Sequence, residues 1–110
     1  MLQISPQDLA ERLADPSSDL QLIDVREVGE AAIVSLPGFR LFPLSQYQEW
    51  GDRILTELNP HQETIVLCHH GIRSAQMTQW LTAQGFTHVK NLSGGIDAYA
   101  CWVDPDLPRY

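Results

Sequence analysis

The chain is expected to fold as an α/β domain, with a parallel sheet covered by helices on both faces. Three observations point there. Short apolar runs alternate along the chain with stretches of helical spacing, and the connections between them are short. Thr64-Ile-Val-Leu67 is mostly β-branched and apolar, as a central strand buried on both faces must be. Helical stretches open on capping residues or glycines and close on glycine or proline.

Taken in order, Leu2-Gln3-Ile4 suits a short edge strand, and Ser5-Pro6 is a helix entry with a capping hydroxyl and a proline at the first helical position. That helix should run to about Ala14, with Leu9 and Leu13 facing the core, and stop at the polar turn Asp15-Pro-Ser-Ser18. Leu20–Val25 is the second strand. A short helix is expected from Glu27 to about Ala32, then a turn at Pro37-Gly38 and a third strand over Phe39–Phe42. Between about Gln46 and Leu58 the spacing of Tyr47, Trp50, Ile54 and Leu58 predicts a helix with a buried stripe. Asn59-Pro60-His61 closes it before the Thr64 strand. A helix over Ser74–Gln84, a fifth strand over His88–Leu92 and a last helix from Ile96 to about Val103 complete the pattern, leaving 104–110 as a proline-broken tail.

Residues 1–110 amount to one domain, large enough to bury roughly two-thirds of its unfolded surface. Apolar residues make up 44% and charged residues 19%, a globular composition. No apolar run reaches the length of about eighteen residues that spans a bilayer. Met1–Asp8 has neither the basic start nor the apolar stretch of a signal peptide, so a cytoplasmic location is expected. A net charge of −7 makes nucleic acid and anionic membranes poor partners. In a reducing compartment Cys68 and Cys101 are expected as free thiols rather than a disulfide, with Cys101 a small buried apolar residue of its helix. The adjacent Cys68-His69-His70 cannot easily converge on one metal ion.

Chemistry concentrates where the Thr64 strand ends in Cys68 and a helix begins six residues later, at Ser74. Unpaired amides at a helix start, a turn at Gly71 and the forked charge of Arg73 together make an anion site with a thiol in it. Such surroundings favour the thiolate, the nucleophilic form. From Thr64 to Ile96 there is no Asp or Glu, so all fourteen acids lie outside the segment that would handle an anion.

Cys68-x-x-Gly71-x-Arg73-Ser74 after an apolar strand resembles the active-site loop of the rhodanese family, the single-domain sulfurtransferases. Ile23-Asp24-Val25-Arg26-Glu27, with Glu30 and Pro37-Gly38 following, is similar to the family's early motif, and Asn91-Leu-Ser-Gly-Gly-Ile-Asp-Ala-Tyr99 resembles the segment leading into its last helix. The chain departs from the family at Val34-Ser35-Leu36, where relatives usually have Gly-His-Ile. The resemblance implies a three-layer fold with a five-stranded parallel sheet. It also implies a Cys68 nucleophile that carries sulfane sulfur as a persulfide, taken from thiosulfate or a persulfide donor and passed to cyanide or a thiol, with no cofactor or metal. His69, His70, Gly71, Ile72, Arg73 and Ser74 would form the anion-binding loop, and Asp24 with Arg26 would buttress the fold. The partners so implied are a small anionic sulfur donor and a thiol or a persulfide-carrying protein as acceptor.

Two rivals are weighed against that reading. Cysteine phosphatases and arsenate reductases resemble Cys-x5-Arg, whereas Cys68 and Arg73 enclose four residues, a tighter cradle that suits a sulfur adduct better than a phosphoryl group. A non-catalytic docking or regulatory module of the same fold would often lack the cysteine, which is present here with its glycine and arginine.

Overall fold

The computed structural model describes residues 1–110. Five strands, β1 (Leu2–Ile4), β2 (Gln21–Asp24), β3 (Arg40–Leu41), β4 (Thr64–Leu67) and β5 (Val89–Leu92), form one all-parallel sheet in the order β1-β5-β4-β2-β3. Five helices connect and follow them: α1 (Pro6–Ala14), α2 (Val28–Ile33), α3 (Tyr47–Glu57), α4 (Ile72–Ala83) and α5 (Gly95–Trp102). The three-layer α/β architecture is the one the alternating pattern predicts.

Local chemistry sets the elements. Ser5 accepts a hydrogen bond from the Asp8 amide at 3.0 Å, and Pro6 fills the first helical position, so α1 starts where its cap requires. All four residues of β4 are buried, and the two-residue period of a strand splits them between two cores. Val66 and Cys68 join Ile23, Val25, Trp50, Ile54, Met77 and Leu81 on the side of α3 and α4. Ile65 and Leu67 join Leu9, Leu92, Ile96 and Tyr99 on the side of α1 and α5. The cysteine therefore inherits its face from the strand before it.

Several boundaries differ from expectation, each for a local reason. Helix α4 begins at Ile72, two residues before Ser74, because Gly71 takes a left-handed φ of +98° and ends the loop early. Strand β3 keeps only Arg40 and Leu41 because it lies at the sheet edge, bonded to β2 alone. Tyr47 stands half exposed at the head of its stripe, packed edge-on against Trp50 and Trp80, while Trp50, Ile54 and Leu58 are buried. Cys101 is exposed rather than buried, because the buried stripe of α5 is Ile96, Tyr99 and Ala100. Val34 and Leu36, where the family pattern is broken, are buried in the core on the α1 and α5 side. No helix is long and apolar enough to cross a membrane.

Candidate active site

Cys68 lies one residue past β4, at the carboxyl edge of the sheet, where α/β folds place their ligands. Two groups reach its sulfur: the Gly71 amide donates to Sγ at 3.0 Å, and Ser74 Oγ lies 3.3 Å away. The amides of His69, His70, Ile72 and Arg73 donate to no protein acceptor. A short loop thus leaves several amides open beside a thiol at the N-terminal end of a 12-residue helix.

The loop is fastened from outside by the first turn of α5. Ile96 and Asp97 donate their amides to the Cys68 and His69 carbonyls at 2.9 and 3.1 Å. Gly95 lies so close that a Cβ there would sit 2.4 Å from the His69 carbonyl oxygen and 2.5 Å from that of Cys68. This close approach is what the Gly94-Gly95 pair permits. At Gly71, a Cβ would lie 3.3 Å from the Gly94 nitrogen, besides meeting the cost of a positive φ.

The side chains of the loop are placed less uniformly. Ser74 is fully buried and donates to Asn91 Oδ1 on β5. Ile72 is exposed, and His70 is exposed with Nδ1 3.8 Å from Asp97. His69 stacks between His70 and Tyr110 at centroid distances of 3.9 and 3.8 Å, and its Nε2 is buried with no partner. Burial, followed by the neighbouring His70, pushes the His69 imidazole below its ordinary value, so the ring is neutral near pH 7.

Arg73 does not point its fork at an open anion site. Its two terminal nitrogens donate to Glu30 Oε1 and Oε2 at 2.6 and 2.8 Å, a bidentate pair that ties α4 to α2. Of the two roles the sequence offers Arg73, holding an anion and orienting the loop, this pairing is the geometry of the second. Hydrogen bonds from Arg73 pull Glu30 down to about 2 against the opposing effect of burial, with help from the Glu27 amide and the Tyr110 hydroxyl.

Asp24 and Arg26 form a buried pair, with Arg26 Nη2 donating to Asp24 Oδ2 at 2.7 Å and to the Val34 carbonyl at 2.8 Å. Arg26 Nη1 also donates to the Tyr110 hydroxyl at 3.1 Å, and that hydroxyl donates to Glu30 at 2.8 Å. The tail therefore packs back over the loop, and its phenol links Arg26 to the Glu30 carboxylate that holds Arg73. Arg109 adds a second tie, donating to Asp97 at 2.9 Å.

Cys68 itself is enclosed, 1% exposed, and lines none of the three surface cavities. The sequence places it on the turn after the strand; the structure buries its sulfur there, under the Gly71 amide. Sequence reasoning also missed the roles of Asn91, a polar residue buried in β5 beside Lys90, and of Tyr110, for which the sequence holds no signal.

A family model for the rhodanese-like domain matches residues 5–100. The chain belongs to the rhodanese-like family. It is 48% identical over 109 residues to the rhodanese-like/PpiC domain-containing protein 12, chloroplastic, of Arabidopsis thaliana, covering 97% of this chain and 36% of that protein. It is 32% identical over 98 residues to a sulfurtransferase of Allochromatium vinosum, covering 89% of this chain and 87% of the other. The structure matches the human single-domain sulfurtransferase TSTD1 with a TM-score of 0.75 at 25% identity, covering 93% and 97% of the two chains. The chain spans only about a fifth to a little over a third of the length of several of the curated relatives it matches.

Proposed function

We propose that this rhodanese-like chain is a sulfurtransferase that moves sulfane sulfur through a Cys68 persulfide. The observation that carries the reading is the Gly71 amide donating to Sγ at 3.0 Å while the amides of His69, His70, Ile72 and Arg73 remain unclaimed. In the first step the Cys68 thiolate attacks the outer sulfur of thiosulfate or of a donor persulfide. The donor's S–S bond breaks, a new S–S bond forms on Cys68, and sulfite or a thiolate leaves with the electron pair. In the second step cyanide or an acceptor thiolate attacks that outer sulfur and Cys68 leaves as thiolate. Loop amides stabilise the negative charge at both stages, and no general base is needed between thiolates. Ping-pong kinetics follow.

The substrates belong to the same reading: a small anionic sulfur donor, and a thiol or a persulfide-carrying protein as acceptor. The sulfurtransferase names of relatives in Allochromatium vinosum and Arabidopsis thaliana support the class of reaction. A cytoplasmic, thiol-reducing setting suits the two free cysteines.

Cys68→Ser should abolish thiosulfate-to-cyanide transfer and leave the melting temperature nearly unchanged. After thiosulfate treatment the mass of the Cys68 peptide should rise by about 32 Da, one sulfur atom. Retained turnover in the variant, or a mass increase on Cys101 alone, would overturn the assignment. A second reading, a docking module of the same fold, is favoured by one fact, the enclosure of the thiol at 1% exposure. A Cys68 that takes up no sulfur from any donor would decide for it.

A further inference from the structure

Asn91 belongs to none of the steps above, yet it is 2% exposed on a central strand and touches the reacting loop twice. Its Nδ2 donates to the Gly71 carbonyl at 3.1 Å and to Gln3 Oε1 at 3.2 Å. A main-chain carbonyl can only accept, so the amide's orientation is fixed and Oδ1 must face Ser74. Ser74 Oγ lies 2.5 Å from that oxygen and 3.3 Å from Cys68 Sγ. Oδ1 can only accept as well, so the serine's single proton is given to Asn91. Lone pairs of Oγ are then turned toward the sulfur, an arrangement that suits a thiol S–H donating to Ser74 and opposes a thiolate.

From this geometry we infer that Asn91 is a positioning residue which competes with the sulfur for the proton of Ser74, making that hydroxyl a two-position donor. With Cys68 as a thiol, S–H donates to Ser74 Oγ and the hydroxyl donates to Asn91. When the thiol proton leaves to solvent, the hydroxyl rotates and donates to the anionic sulfur, and Asn91 Oδ1 gives up its donor. No covalent bond other than S–H changes. The same rotation serves a persulfide anion on Cys68. Asn91 thus holds back ionisation in the resting site, and its grip on the Gly71 carbonyl keeps Ser74 and the Gly71 amide on the same sulfur while the switch turns. This inference rests on Cys68 being the reacting thiol of the proposed transfer.

The test is a double-mutant cycle read by ultraviolet absorbance of the thiolate against pH, on the full chain with Cys101→Ser and corrected by subtraction of the Cys68→Ser spectrum. Ser74→Ala should move the thiolate transition to higher pH, and Ser74→Thr should keep it near the parent. Asn91→Leu and Asn91→Ala should each move it at least about half a pH unit further toward low pH when Ser74 is present than in the Ser74→Ala background. Equal shifts in the two backgrounds would show that Asn91 acts only through loop geometry and would overturn the inference. So would a downward shift that survives only in the Ser74→Ala background. Two Asn91 variants, each checked for a cooperative melt, guard against one that fails to fold. Because no sulfur donor is present, the result is independent of whether transfer occurs, so failure here and failure of the sulfurtransferase reading are separate outcomes.

Discussion

Two glutamates hold charge networks at opposite ends of the sheet, and they do different work with the same chemistry. Glu63, just before β4, takes Arg12 in a bidentate pair at 2.5 and 3.0 Å and Lys90 at 2.9 Å, tying α1 and β5 to the amino edge of the sheet. Glu30, at the carboxyl edge, takes Arg73 and Tyr110 and ties α2, α4 and the tail around the thiol. Each carboxyl is drawn from its ordinary 4.5 to about 2, in both cases chiefly by its arginine. What separates them is what each network fastens: α1 and β5 to the start of β4 in one case, α2 and the tail to the helix that follows the cysteine loop in the other.

The sharpest test of that contrast begins outside both networks. Gly95→Ala should be the most damaging change, because its Cβ would collide with the carbonyls of Cys68 and His69. A loss of about 3 kcal/mol or more is expected by urea denaturation, together with loss of sulfur transfer. Near-parental stability would mean the close approach relaxes cheaply. Next comes the pair Arg73→Ala and Arg12→Ala. The first should lower transfer about tenfold with a shift of only a few degrees in melting temperature. Arg12→Ala should cost about 1 kcal/mol of stability, both partners being partly exposed, and leave turnover per folded molecule unchanged. Matching losses of turnover in the two variants would erase the distinction between the networks.

Acid should act on both alike. A carboxyl whose folded value is about 2 and whose unfolded value is 4.5 contributes stability that is fully present above 4.5 and is lost as pH falls from there toward 2. Glu30→Gln and Glu63→Gln are therefore each expected to show a deficit at pH 7 that shrinks by more than half at pH ~3, measured by urea melts. A deficit independent of pH would assign the loss to packing. The smallest effect belongs to the phenol over the loop. Tyr110→Ala should speed alkylation of Cys68 by a few-fold, and Tyr110→Phe by less because the stack on His69 survives. Identical rates in both variants and the parent would show that the tail does not limit access.

The fold was legible because strand and helix signals agreed with one another, from the Ser5-Pro6 cap to the apolar Thr64–Leu67 run. The cysteine loop was legible because Gly71 and Gly94-Gly95 are backbone requirements written directly into residue type. What escaped is long-range. Arg73 finds Glu30, 43 positions away, and the Arg26 guanidinium finds Tyr110, 84 positions away, through side-chain geometry that no spacing records. Cys101 was misjudged because α5 buries Tyr99 and Ala100 and turns the next residue outward.

The grip of α5 on the Cys68 and His69 carbonyls also has a temporal side. Those bonds join the middle of the chain to Ile96 and Asp97, and β1 waits for β5 to pair at all. During ribosomal synthesis Cys68 emerges before the residues that shape its surroundings, so a nascent chain has the thiol without the clasp of α5 on its carbonyls. The geometry around Cys68 should arrive abruptly, once α5 has docked.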